Sequence, residues 1–176
     1  MLKNLLVTIV LFVASILILA LTQPDTFHIE RSTTIKAAAG KIFPLLNDLH
    51  RWQEWSAWEK HDPNMKKVFS GAAQGKGARY AWEGNKKVGI GSMEIIESVP
   101  SEKVTIKLIF AKPFVAENTA MLALSDNQGN TEIVWSMDGA SSYTSKVFGL
   151  FLNMDEVIGR DFERSLSRLK EIAEAK

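Results

Sequence analysis

The sequence predicts an α+β domain, an antiparallel sheet backed by a long C-terminal helix, preceded by one membrane-spanning helix. Three observations carry this. Residues 4–24 contain no charged side chain. Between 65 and 138, short runs rich in apolar residues are broken by Gly, Pro, Asn and Asp, the spacing of an antiparallel meander. From 143 to 175, apolar residues recur at steps of three and four, the mark of an amphipathic helix.

The leader comes first in chain order. Residues 5–21 read LLVTIVLFVASILILAL, with only Thr8 and Ser15 polar. At about 1.5 Å per residue this run spans roughly 25 Å, the short end of a membrane helix. A cleaved signal peptide would have a shorter apolar core and a small-x-small site, which Ala20-Leu21-Thr22 fits poorly. The division expected is therefore 1–24 as transmembrane anchor, with a signal peptide as the alternative, and 25–176 as one domain. Lys3 and the amino terminus precede the segment, and no Lys or Arg follows before Arg31. The positive-inside rule places the N-terminus in the cytoplasm and the domain on the periplasmic or extracellular side, single-pass in the cell membrane. Pro24 ends the helix and leaves a very short linker.

Within the domain, 26–35 alternates loosely and reads as a first strand. Residues 37–49 place Ile42, Leu45, Leu46 and Leu49 at helical spacing, with Pro44 early in the helix. Residues 51–59 form a short helix or turn with three of the five Trp. Six strands follow at 65–70, 78–83, 88–99, 103–110, 114–124 and 131–138. The last helix runs 143–175 with a single stripe through Val147, Leu150/Phe151, Met154, Ile158, Phe162, Leu166, Leu169 and Ala173. Gly159 is where it would bend. A stripe this long needs a partner, and the sheet is the obvious one.

Composition narrows function. The chain carries 21 Lys+Arg and 20 Asp+Glu; without Lys3 the charges balance, which disfavours a nucleic-acid partner. There is no Cys and there are three His, so thiolate chemistry and a multi-histidine metal site are not expected, and no cofactor is implied. No Gly-x-Ser-x-Gly elbow or His-Glu-x-x-His pair occurs. Gly71-Ala-Ala-Gln-Gly75-Lys76 is one residue short of a phosphate-binding loop and reads as a hairpin turn. The pairs Lys66-Lys67 and Lys86-Lys87 read as solvated edges.

The element order, taken with certain residues, resembles the START-like (SRPBCC) superfamily and its polyketide cyclase/dehydrase-like branch. Those residues are Phe27-x-Ile29-x-Arg31-Ser32-x-x-Ile35, Ala37/Ala38 with Ile42-Phe43, and Leu46-Asn47-Asp48. They continue with Trp52-x-x-Trp55-Ser56-x-Trp58-Glu59, Gly77-x-x-Tyr80-x-Trp82-x-Gly84-Asn85, Gly89-x-Gly91 and Thr131-x-Ile133-Val134-Trp135. The resemblance covers 26–175. It implies a helix-grip fold, a seven-stranded curved antiparallel sheet around the long C-terminal helix, enclosing an elongated apolar cavity. Members bind sterols, phospholipids, polyketides, plant hormones or quinone-like molecules, and some catalyse cyclisations.

The expected ligand-binding cavity comprises Trp55, Trp58, Tyr80, Trp82, Phe110, Trp135, Met137, Phe151, Met154 and Ile158. Hinge packing competes with this role for Trp52 and Trp55, and core packing competes with it for the inward strand residues. Acid–base candidates are Glu83, Glu94, Asp138, His28, His50 and His61. Glu94 is the one weak catalytic candidate, because a carboxyl turned into an apolar cavity has a raised pKa; a solvated outer face is its alternative. The function expected is a membrane-anchored binding protein for a small lipophilic ligand such as a lipid, a quinone or a polyketide-like molecule. The rivals are a cyclase or hydrolase using an inward carboxylate, and an interaction module with a filled core.

Overall fold

The computed structural model describes residues 2–175. A first helix, α1 (Leu2–Leu21), is exposed along nearly its whole length and is long and apolar enough to cross a membrane. At 20 residues it is about 30 Å long, close to the thickness of a bilayer's hydrocarbon core. Its two hydroxyls are satisfied within the helix: Thr8 Oγ1 donates to the Asn4 carbonyl at 3.0 Å and Ser15 Oγ to the Leu11 carbonyl at 2.8 Å. Neither hydroxyl then needs a partner in lipid.

Strand β1 (Thr26–Ile35) leads to α2 (Ala39–Asn47), a 3₁₀ turn at Leu49–Arg51, α3 (Trp52–Trp55) and a second 3₁₀ turn at Trp58–Lys60. The predicted helix over 37–49 ends early because Asp48 adopts an extended backbone and its carboxylate accepts from the His50 amide, starting the 3₁₀ turn. Strands β2 (Lys66–Gly71), β3 (Ala78–Glu83), β4 (Ile90–Val99), β5 (Lys103–Lys112), β6 (Ala116–Asn127) and β7 (Asn130–Ala140) complete one antiparallel sheet. Its order is β1-β7-β6-β5-β4-β3-β2. The meander therefore returns to β1, and β1 and β2 are the edges.

Several strand ends differ from expectation. The strand predicted from 88 begins at Ile90, because Gly89 sits at φ +65° with its Cα against the Lys112 carbonyl. The strand predicted over 114–124 runs from Ala116 to Asn127 and closes on Gln128-Gly129, both at positive φ, as a type I′ hairpin turn needs. The 71–77 segment is the hairpin loop expected, tied down by Gly75 N–H to the Asn47 carbonyl and Gly77 N–H to the Ile95 carbonyl. Register shifts between Ile90 and Gly91 and between Ile95 and Glu97 bend β4 against β5, which increases the curl of the sheet.

The predicted single helix over 143–175 is two helices, α4 (Tyr143–Gly149) and α5 (Met154–Glu174). The chain breaks at 150–153 because Asn153 caps α5, its side chain accepting from the Glu156 amide at 3.2 Å. Asp155 and Glu156 then face the positive end of the helix dipole. Helix α5 lies against β1 and buries Gly159, Phe162, Leu166, Leu169 and Ala173. The break therefore falls before Gly159, which has another use. It leaves a notch for Arg31, whose guanidinium occupies the space a Cβ would need.

Arg31 points inward from β1 and clamps α5. Its Nε donates to Glu163 at 2.8 Å and its Nη2 to Asp155 at 2.9 Å. The hydrogen bond from Arg31 holds the Asp155 carboxyl below its ordinary value near 3.8. A depressed folded-state pKa gives stability that is complete above the unfolded value and lost as pH falls through the folded one. We therefore expect the first turns of α5 to lose amide-exchange protection as pH drops below about 3.8. Asp155→Asn should already be weakened at pH 7 and should lack that acid step.

Candidate functional site

The inner face of the sheet divides into a packed half and an open half. In the packed half, Trp135 of β7 stacks on Phe162 of α5 with ring centroids 4.1 Å apart and planes 5° from parallel. Trp55 and Trp52 meet Trp135 edge-on at 5.6 and 6.1 Å. The indole N–H groups of Trp52 and Trp55 donate to the Leu46 and Leu45 carbonyls, each at 3.0 Å. These two rings pin α3 onto α2, the hinge-packing alternative. Ser165 of α5 reinforces the joint, its Oγ accepting from the Ala57 amide at 2.8 Å. Unlike its neighbours, Trp135 keeps a buried Nε1 with no partner.

The open half lies at the other end of the strands. The register runs one inward row across the sheet: Phe27, Gly139, Asn118, Leu108, Met93, Tyr80 and Phe69. Phe110, opposite Gly91, lies one step nearer the strand ends. Phe27, Leu108 and Phe110 are only partly buried, as are Trp58 and Ile158 across from them. Trp58 and Trp82 approach Phe110 edge-on at 6.4 and 5.7 Å. In the middle of this apolar row stands Asn118, buried, with its Oδ1 unpartnered. Its Nδ2 has only the Met137 sulfur, at 3.9 Å. Gly139 makes room for it, since a Cβ there would overlap the Asn118 carbonyl oxygen and crowd the Phe27 ring. A buried amide with so little hydrogen bonding is costly unless something else supplies the partners.

Of the expected cavity residues, Tyr80, Trp82, Trp135 and Met137 are buried on the inner face, and Trp58, Phe110 and Ile158 border the open half. Trp55 is core. Phe151 and Met154 are on the surface, 66% and 44% exposed, because the break between α4 and α5 turns them away from the sheet. Glu94 points outward: it pairs with Arg79 at 3.0 Å on the solvent face, while Met93 and Ile95 on either side of it are buried. The catalytic suggestion for Glu94 is thereby corrected, since its carboxylate lies on the outer face with Arg79 and does not enter the grip. Glu83 is exposed. His28 and Asp138 pair on the outer face at 2.7 Å, which raises the His28 pKa above its ordinary value. His50 stacks on Phe69 at 4.1 Å, and His61 bonds Asp161 at 2.9 Å.

Sequence reasoning passed over Glu59 and Asn118. Glu59 is buried with both oxygens engaged, Oε2 by Lys67 and Oε1 by the Tyr80 hydroxyl at 2.7 Å. Burial, then the bond to Glu59, pushes the Tyr80 phenol far above its ordinary pKa. This triad closes on itself and fixes Tyr80 in the wall. A groove of about 660 Å³ lies outside the grip, between Ala57–His61 and α5. Lys60, His61, Asp161, Arg164 and Arg168 line it, charges of both signs that do not suit an apolar ligand. Among the described residues, no three His, Asp or Glu side chains gather to hold a metal ion.

A curved antiparallel sheet gripping a long helix against an apolar inner face defines the helix-grip class, which serves ligand binding and cyclisation. Residues 26–174 match the family described as polyketide cyclase / dehydrase and lipid transport, and the chain belongs to it. No match is found among curated proteins. Among solved structures, the chain is similar to a protein of Chromobacterium violaceum (12% identity, TM-score 0.61, covering 88% of this chain and 100% of that one). It is also similar to a protein of Rhizobium leguminosarum (13%, 0.58, 86% and 97%). A third is the di-domain ARO/CYC StfQ from the steffimycin biosynthetic pathway (11%, 0.61, 85% of this chain and 51% of that one). At such identities the likeness is one of fold.

Proposed function

We propose that the protein is a membrane-anchored binding protein that seats a small lipophilic molecule (a lipid, a quinone or a polyketide-like compound) at the open end of its grip. The observation that carries this is the unpartnered Asn118 Oδ1 set in a row with the partly buried Phe27 and Leu108 and beside Phe110. An apolar opening with one convergent polar group is the make-up of a small-molecule site. A ligand with a hydroxyl on an otherwise apolar body would donate to that oxygen, whereas a ligand carbonyl would have to accept from Nδ2, and the rings of Trp58 and Phe110 would flank either. The family description names both cyclases and lipid transport. Binding is favoured over chemistry here because Glu94 faces water and Glu59 is tied on both oxygens. Helix α1 would hold the domain on the periplasmic or extracellular side of the cell membrane. A four-residue linker at 22–25, about 14 Å at most, would keep it there.

Native mass spectrometry of the full chain released from membranes in mild detergent tests both parts. The expected result is a protein mass of about 19.6 kDa, the uncleaved chain, with a co-released apolar molecule. Leu108→Trp, which fills the opening, should lower occupancy about tenfold, a loss of about 1.4 kcal/mol, without lowering the melting temperature. A chain shortened near residue 22 would refute the anchor. A full-length chain that never carries an apolar molecule would refute the binding site.

A further inference from the structure

Outside α1, the large apolar side chains left exposed are not scattered. Among the described residues, only Val68, Ile96 and Ile109 lie elsewhere; the rest fall in the β5–β6 loop and in the stretch from α4 into the start of α5. Phe114 and Val115 in the loop are 55% and 82% exposed, and Phe148, Phe151 and Leu152 of the second segment are exposed as well. The two segments meet, with the Phe114 and Phe148 rings 6.0 Å apart. Neither 113–116 nor 147–154 contains a charged residue. A contiguous exposed apolar surface of this kind marks a place where a protein meets another phase or partner.

Its position says which. Helix α4 packs on α1, and the Tyr143 hydroxyl donates to the Leu17 carbonyl at 3.0 Å. Leu17 is four residues, about 6 Å, from the end of α1. Tyr143 therefore sits at the level where a spanning helix leaves the hydrocarbon, the depth that favours tyrosine. Lys146 closes the contact from the polar side by pairing with Asp25 in the linker. The linker is too short to lift the rim away from a bilayer that holds α1. The open row of the grip lies at the same end of the strands, where Phe110 pairs with Ala116 and Phe27 with Gly139.

We propose that the rim formed by Phe114, Val115, Phe148, Phe151 and Leu152 inserts into the leaflet beside α1, so that the open half of the grip faces lipid rather than water. This rests on the anchored reading above. A lipophilic ligand would then pass between leaflet and grip along a continuous apolar surface.

The absence of cysteine makes the test direct. Single variants Val115→Cys and Phe151→Cys of the full chain carry an environment-sensitive nitrobenzoxadiazole label. Ala73→Cys, exposed in the β2–β3 loop at the far end of the sheet, serves as reference. Each is placed at one chain per nanodisc of phosphatidylcholine and phosphatidylglycerol, with and without lipids bearing a nitroxide high on the acyl chain. The expected result is blue-shifted emission at 115 and 151 and about a twofold or greater loss of intensity with the nitroxide lipids, with neither change at 73. Chains that stay in the disc while 115 and 151 behave like 73 would overturn the docking and leave the anchor standing. Blue-shifted labels that the nitroxide lipids do not quench would also overturn it, since a protein surface would then cover the rim. Chains that leave the bilayer would overturn docking and anchor together.

Discussion

Trp135→Ala should cost about 3–5 kcal/mol of folding stability, the range seen when a buried aromatic is cut to a methyl. Trp135 is the ring on which Phe162, Trp55 and Trp52 all converge. It joins β7 to α5 and α3 at once, so its loss leaves a void bounded by three elements that cannot close together. For a domain of this size the melting temperature should fall by roughly 6–20 °C. The loss is a large share of a typical domain stability of about 5–15 kcal/mol. Trp135→Phe separates two contributions. It keeps a ring against Phe162 and removes the unpartnered Nε1–H, so it should lose far less than the alanine variant. Denaturant titration of both variants checks this. An alanine variant within about 1 kcal/mol of the parent would mean that the aromatic cluster does not hold the grip closed.

The parts of the fold that alternation controls were legible in the sequence. Tyr80 and Trp82, Ile106 and Val104, and Ile133, Trp135 and Met137 each share the inner face, as period-two spacing requires. The break between α4 and α5 was hidden for a physical reason. The apolar stripe continues through Val147, Phe151 and Met154, but Phe151 and Met154 are exposed while Phe162, Leu166 and Leu169 face the core. Periodicity records that a surface is apolar and does not record what it meets. Glu94 was ambiguous because the strand 90–99 offers apolar residues at both parities, Met93 and Ile95 on one face and Ile96 on the other; cross-strand pairing with Arg79 decides it. Glu59 and Asn118 could not be found from spacing. What sets each apart is a long-range partner held or missing: Lys67 and Tyr80 for the one, and nothing for Oδ1 of the other.

The Gly89-x-Gly91 motif can be explained in the same terms, and it carries the second large effect. Gly91 sits inward on β4 with the Trp82 ring lying directly over its Cα. A Cβ at this position would overlap Trp82 and approach the Ile109 carbonyl oxygen at 2.7 Å. Trp82 is not free to withdraw, since its Nε1 donates to the Val88 carbonyl at 3.1 Å and its edge meets Phe110. Gly91→Ala is therefore expected to cost about 1–3 kcal/mol through overpacking, despite adding only one methyl group. It should also push Trp82 toward Phe110 and narrow the open half of the grip. A double-mutant cycle with Trp82→Phe divides the cost. The smaller ring relieves the overlap with Trp82 and leaves the clash with the Ile109 backbone, so part of the loss should return and part should not. Full recovery would place the whole constraint on the ring. No recovery would place it on the β4–β5 backbone, and the glycine would then serve the curl of the sheet rather than the shape of the site.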